Sequence, residues 1–322
     1  MKLVLPWRWV VAVVAAALIT IALAFFTPPN LLIQVTMVFT FAIALAGLVV
    51  ISGYGGQIVL SSGAFFAIGA YTTALVQQKL GLHFSLTLPL GAALAFVGGL
   101  LLGLAALRRP GHLLAVVTLA VAVAVPLFIT HFEPFSGGAR GLTVVSADPP
   151  AWLKISVNQR NYLVCLVITA LVFWATHQLV AGRIGRALMA IRDNETLAAA
   201  MGIDIARHKI LAYAFSAMLA ALGGGLYAVV VGKITPGDFN IGFAALLIIG
   251  LVIGGKASLF GALLGAFLMV FVPAYGGKIN PALPGAIFAV LVAAVLLLLP
   301  NGIVPALATL ARRTRSIGRH TA

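Results

Sequence analysis

Runs of about twenty apolar residues recur down the chain between short polar breaks, and a run of that length crosses a bilayer core as a helix. Ten spans are read: 9–26, 31–51, 58–77, 87–107, 112–130, 161–180, 208–231, 241–254, 257–275 and 285–304. The runs are apolar on every face and do not alternate over shorter segments, which argues against a β-barrel. Two longer breaks stand out. The stretch 131–160 (HFEPFSGGARGLTVVSADPPAWLKISVNQR) is rich in Gly, Pro and Ser and predicts an irregular loop with at most a short helix. The stretch 181–210 (AGRIGRALMAIRDNETLAAAMGIDIARHKI) is mostly polar and lies between two spans. The pattern predicts an all-α polytopic membrane protein of about ten transmembrane helices, one domain over residues 1–322 with no separable soluble part.

Composition agrees. Of 322 residues, 62% are hydrophobic and 8% charged, against about 25% charged in a soluble domain. The net charge of +14 invites a nucleic-acid reading, but the charges sit in short loops between spans, where Lys and Arg orient helices. Nucleic-acid binding is therefore not expected. With the N-terminus in the cytoplasm, fourteen basic residues fall inside (Lys2, Arg8, Arg108, Arg109, Arg183, Arg186, Arg192, Arg207, Lys209, Lys256, Arg312, Arg313, Arg315, Arg319). Six fall outside: Lys79, Arg140, Lys154, Arg160, Lys233 and Lys278. Both termini are thus expected in the cytoplasm, with an outer loop at 131–160 and a basic cytoplasmic tail at 305–322. The first run is read as an uncleaved span, being long and without a clear small-residue cleavage site. Cys165 is alone and inside a span, so there is no disulfide framework.

Ser52 to Ala74 (SGYGGQIVLSSGAFFAIGAYTTA) begins with a dozen residues rich in Gly, Ser and amide groups, flanked by apolar sequence. Gly53, Gly55 and Gly56 permit a tight turn, and Ser61, Ser62 and Gly63 open or cap the next helix. Two readings stand together: a broken or re-entrant helix beside a translocation path, or a tight cytoplasmic turn between ordinary helices. In 181–210, apolar residues at helical intervals (187–191, 197–201) alternate with Arg186, Arg192, Asp193, Asn194 and Glu195, and Gly202 is placed to stop a helix. Two short surface helices are expected, forming either a solvated amphipathic connector or a platform for a cytoplasmic partner. The pairs Gly99/Gly103, Gly250/Gly254 and Gly261/Gly265 have the spacing that lets helix backbones approach, and are read as structural.

Several chemistries are missing. GLVIGGKA (250–257) mimics a phosphate loop but has Ala257 where a magnesium-binding hydroxyl belongs, and no strand precedes it. No Asp or Glu lies inside a predicted span, which weakens an ion-coupled carrier. No HExxH, metal cluster or relay for Ser61 and Ser62 is found, so catalytic, cofactor and metal residues are none. Tyr71 and Trp174 are read as packing and Pro126 as a kink.

The stretches GYGGQIVLSSGAFFAIGAYTTA, RRPGHLLAVVTLA, GRIGRALMAIRDNETLAAAMGI and KILAYAFSAMLAALGGGLYA resemble, in order and spacing across nearly the whole chain, the permease subunits of branched-chain amino acid ABC importers of the LivM type. The resemblance implies a subunit of the bacterial cytoplasmic (inner) membrane. It would pair with a second, related permease, with two cytoplasmic ABC ATPase subunits that hold the ATP and Mg, and with a periplasmic binding protein delivering leucine, isoleucine, valine or a related solute. Related permeases also serve urea, short amides and other amino acids. The loop 181–210 would contain the coupling helix, with Arg186, Arg192, Asp193, Asn194, Glu195, Ala199 and Gly202 as its candidate residues. Glu195 stands seven positions before Gly202 where the general importer motif has six, a loose match. The path would run between the two permeases, lined partly by Ser52, Gly55, Gln57, Ser61, Ser62 and Tyr71, and the outer loop would meet the binding protein. A gradient-driven carrier acting alone and a membrane-embedded enzyme or scaffold are the alternatives from other classes.

Overall fold

Nine of the ten predicted runs are helices in the computed structural model, which describes residues 27–106, 112–144, 155–279, 284–299 and 302–306. They are α1 (Pro29–Leu48), α2 (Ser62–Leu80), α3 (Phe84–Ala106), α4 (His112–His131), α6 (Val157–Ala181), α9 (Ile205–Val231), α10 (Ile241–Gly254), α11 (Leu259–Ile279) and α12 (Pro284–Leu298). The short helices α5 (Glu133–Ser136), α7 (Arg183–Asp193) and α8 (Glu195–Ala200) lie in the two polar breaks. The expected first span 9–26, the Arg108–Arg109 pair, the segment 145–154 of the outer loop and the tail beyond Ala306 lie outside the described residues.

Among the described residues, five stretches are long and apolar enough to cross a membrane: Pro29–Tyr54, Phe84–Leu104, Val157–Ala181, Ile205–Val231 and Leu259–Gly277. Two shorter apolar helices, Ala115–His131 and Ile241–Gly254, accompany them. The chain is an all-α polytopic membrane protein.

Local chemistry sets the helix ends. Pro29 opens α1, where its missing N–H costs nothing. Ser156 and Gln159 form a reciprocal capping box on α6. Asp204 and Asn240 cap α9 and α10 through their side-chain oxygens.

Two helices form the centre. In the apolar stretch of α1 83% of the residues of an 18-residue window are buried and in α9 67%, whereas in α6 only 28% are. Small residues explain how α9 serves as the hub. Gly223, Gly224 and Gly225 are consecutive, so about 100° of helical rotation separates each from the next. A methyl on Gly223 would sit 2.5 Å from the Thr40 carbonyl oxygen of α1. On Gly224 it would sit 1.9 Å from the Phe66 carbonyl oxygen of α2, and on Gly225 2.7 Å from Leu88 of α3 and Thr73 of α2. Three neighbours approach one helix because three successive side chains are missing.

The spaced glycine pairs behave as read. Gly254 packs on Gly261 and Gly265 on Gly250, with built Cβ positions 1.9 and 2.1 Å from the facing carbonyl oxygens, so α10 and α11 form a tight hairpin. Gly99 and Gly103 of α3 lie against Ala214 and Ile210 of α9. Trp174 departs from its packing role: it is 65% exposed on α6, so its ring points away from the chain's own core.

The bundle has two distinct ends. At one, strand β1 (Leu142–Thr143) in the loop 131–160 pairs antiparallel with β2 (Lys233–Ile234) just after α9, Leu142 opposite Ile234. This loop holds a short helix as expected, plus a strand that the Gly/Pro/Ser pattern does not reveal. The close pass requires Gly141, with φ +75° and a built Cβ 2.0 Å from the Ile234 carbonyl oxygen. At the other end gather the chain between α1 and α2, the helices α7 and α8, and the turn between α10 and α11.

Candidate coupling and translocation site

The helix α1 does not end at Leu48. It continues as a π-helical turn, Val49–Tyr54, and then loses regular structure until Ser61. The residues 49–61 are thus a break inside the membrane domain. Its backbone is tied by Gly55 N–H to the Val50 carbonyl (3.0 Å) and Gln57 N–H to the Ile51 carbonyl (3.2 Å). Gly53 is pressed against the α10–α11 turn, a built Cβ lying 1.9 Å from the Lys256 carbonyl oxygen. The Tyr54 hydroxyl donates to the Ala257 carbonyl at 3.3 Å. The GLVIGGKA segment is therefore a helix end and turn buttressing the break, with no preceding strand.

Of the residues expected to line a path, Ser61, Ser62 and Tyr71 are buried within this chain, at 0%, 3% and 4% exposure. Ser61 Oγ lies 2.6 Å from the Tyr213 hydroxyl of α9, locking the start of α2 to the hub. The Tyr71 ring meets Phe239 edge-on at 6.0 Å, so its packing role holds. Phe66, one turn earlier, is surrounded by Phe41, Tyr227, Phe239 and Phe243 at 5.1–6.1 Å between centroids. Gly55 is buried too, while Ser52 and Gln57 are half-buried at the break.

The polar loop is two short helices, as its pattern predicts. Leu188 and Ile191 of α7 are 0% and 1% exposed and seat this helix on the membrane domain. Arg186 folds back to the Ala181 carbonyl (3.2 Å). Arg192 reaches the Gly53 carbonyl (3.0 Å) and pairs with Asp193 (3.1 Å). Asn194 caps α8 by accepting from Leu197 N–H at 3.0 Å. Glu195 pairs with Lys209 of α9 at 2.6 Å, fixing α8 to the hub.

Gly202 closes α8 in the left-handed region, φ +79°. Its N–H bonds the Ala199 carbonyl (3.0 Å), and Ile203 N–H bonds the Ala198 carbonyl (3.1 Å), a Schellman closure that glycine adopts without strain.

Arg192, Asn194 and Glu195 thus spend their polar groups within the chain. Leu197 of α8 and Met201 at its C-terminal cap instead stand outward, 60% and 72% exposed and one turn apart; Ala199 is exposed on another side of the helix. The sequence pattern places Leu197 and Met201 at a helical interval but does not show which way the pair faces. Its signal is two large apolar residues at i and i+4 in a charged loop; of the loop's other large apolar residues, Leu188 and Ile191 are buried, whereas Ile184 on α7 is 43% exposed. Among the described residues, no group of three or more His, Cys, Asp or Glu gathers to hold a metal ion.

Residues 30–300 match the family of the branched-chain amino acid transport system permease component. The high-affinity branched-chain amino acid transport system permease protein LivM of Escherichia coli K12 is 30% identical over 280 residues, covering 80% of this chain and 66% of that protein. Its Salmonella typhimurium counterpart is 31% identical over 258 residues, 73% of this chain and 61% of the relative. The permease protein LivH of the same Salmonella strain is 24% identical over 289 residues, 84% of this chain and 92% of the relative. The chain therefore spans under two thirds of the length of these LivM proteins. No solved structure matches it. A match over residues 30–300, embracing the break, the polar loop and the glycine-rich hub, carries the conclusion: the chain belongs to the permease family of branched-chain amino acid transport systems.

Proposed function

We propose that the chain is the membrane-spanning permease subunit of an ATP-driven importer in the bacterial cytoplasmic membrane. It works beside a second, related permease and two cytoplasmic ATPases. The carrying observation is the build of the polar loop: α7 and α8 are tied to the membrane domain while Leu197 and Met201 stand out from it. A connector that only joined two spans would have no use for an exposed apolar pair on a braced helix. An ATPase groove would cover it.

The solute is a branched-chain amino acid, or a related small solute such as another amino acid, urea or a short amide, delivered by a periplasmic binding protein. The family membership and the LivM relatives support the amino-acid reading. ATP and Mg belong to the partner ATPases in this scheme, and this chain binds no cofactor. Ten spans with both termini in the cytoplasm fit the two-ended arrangement, in which the break, α7–α8 and the α10–α11 turn share the cytoplasmic end. The strand pair and the clefts beside it, lined by Gln78, Glu133 and Arg140 among others, then face the binding protein. The half-buried break residues Ser52 and Gln57 border the path; the buried Gly55, Ser61, Ser62 and Tyr71 join it only when the break and α2 move.

The test is purification of the tagged chain in mild detergent with identification of what accompanies it. Recovery of two ATPases and a second permease is expected. A transport-active oligomer of this chain alone would overturn the reading in favour of a gradient-driven carrier.

A further inference from the structure

Arg192 leaves the polar loop and reaches back into the membrane domain. Its Nη1 donates to the Gly53 carbonyl at 3.0 Å, while Asp193 Oδ1 accepts from Nε and Nη2 at 3.2 and 3.1 Å. The guanidinium is thus held from both sides. Its aliphatic stem lies over Gly56, where a built Cβ would come within 2.4 Å of Arg192 Cγ and where φ is +67°. Gly53 belongs to the π-helical turn that ends α1, and its other side presses on Lys256 in the α10–α11 turn. One arginine therefore joins the braced helix α7 to a locally irregular helix end, which in turn touches a second turn.

We propose that Arg192 is the positioning residue that carries displacement of α7 and α8 into the break of α1 and on to the α10–α11 turn. This rests on the reading of loop 181–210 as the ATPase-docking element. The planar fork fixes direction as well as distance, which a flexible point charge does not. A π turn has two nearby alternatives, itself and a regular α turn, so a small pull on one of its carbonyls selects between discrete arrangements. Arg192 in this role acts on the permease's own backbone and is not a contact to the ATPase.

The experiment uses the full complex in proteoliposomes, with uptake of labelled leucine, ATP hydrolysis and ATPase retention on the purified complex. Arg192→Ala is expected to retain the ATPases and hydrolyse ATP, with leucine moved per ATP reduced fivefold or more. Arg192→Lys should fall between it and the parent. Gly56→Ala, which displaces the arginine stem from the other side and leaves the sequence of the loop unchanged, should reproduce the loss. Hydrogen exchange of residues 49–60 should change on ATP binding in the parent and not in Arg192→Ala, a readout that a purely structural role would not move.

Parental leucine per ATP together with parental exchange in Arg192→Ala would overturn the proposal, as would loss of the ATPases from that variant. Leu197→Glu separates the two claims. If it sheds the ATPases while Arg192→Ala transports normally, only the transmission role fails. If it keeps them and transports normally, the docking reading itself fails.

Discussion

Ser61 and Tyr213 are 152 residues apart in sequence and 2.6 Å apart in the fold, both buried. Removing one partner leaves a hydroxyl stranded in an apolar surrounding, while removing both leaves none. Ser61→Ala should therefore lower stability in detergent by about 1–3 kcal/mol. Ser61→Ala with Tyr213→Phe should recover much of that loss in the same thermal melt. Gly202 sits in open space, so Gly202→Ala meets no clash and suffers only left-handed strain, about 1 kcal/mol. Its expected signature is a weakened α8 and reduced ATPase stimulation in the assembled complex, with membrane insertion unchanged. Neither the Ser61 bond nor the Arg192 reach is legible in the sequence, because both depend on which helices become neighbours. Gly202 is legible, since a glycine just past a helical pattern is a local signal.

At the scale of elements, the apolar runs reveal where helices lie because a bilayer demands an uninterrupted apolar length. The nine runs within the described residues agree with helices to within several residues at their ends. Runs do not reveal how a helix ends. The glycines from Ser52 onward mark the break, but that 49–54 takes π rather than α geometry is not legible, and β1–β2 is invisible because two-residue strands have no periodicity to display. The glycine triplet of α9 makes a sharper test. Gly224→Ala drives a methyl into the Phe66 backbone at 1.9 Å, which cannot yield, whereas Gly225→Ala meets side-chain atoms at 2.7 Å that can turn aside. The first should cost about 1–3 kcal/mol or more and the second clearly less, as read by thermal melting in detergent.

For the whole molecule, the decisive surface is small. Leu197→Glu places a charge on the exposed face of α8 and should cost the ATPases at least tenfold in retention, while the membrane domain melts as before. The sequence directs attention to this loop through its charges. The charged residues there turn out to brace the loop, and the apolar pair is what the loop holds outward. Charge marks the element in a linear reading, and only the fold distinguishes groups used inward from groups left facing out.

The antiparallel pair Leu142–Ile234 fastens the far end of α9 to the loop after α4. If α9 tilts as a rigid rod together with the helices packed on it, this pair is its fulcrum. The helix beyond it has 27 residues, an arm of about 40 Å. A tilt of about 5° at the fastened end would carry the free end, with α8 linked to it through Glu195 and Lys209, some 3.5 Å sideways (roughly, from that arm length). A lever of this form leaves the fastened face almost still and concentrates travel at the broken end of α1. There the protein keeps an irregular turn in place of a rigid one.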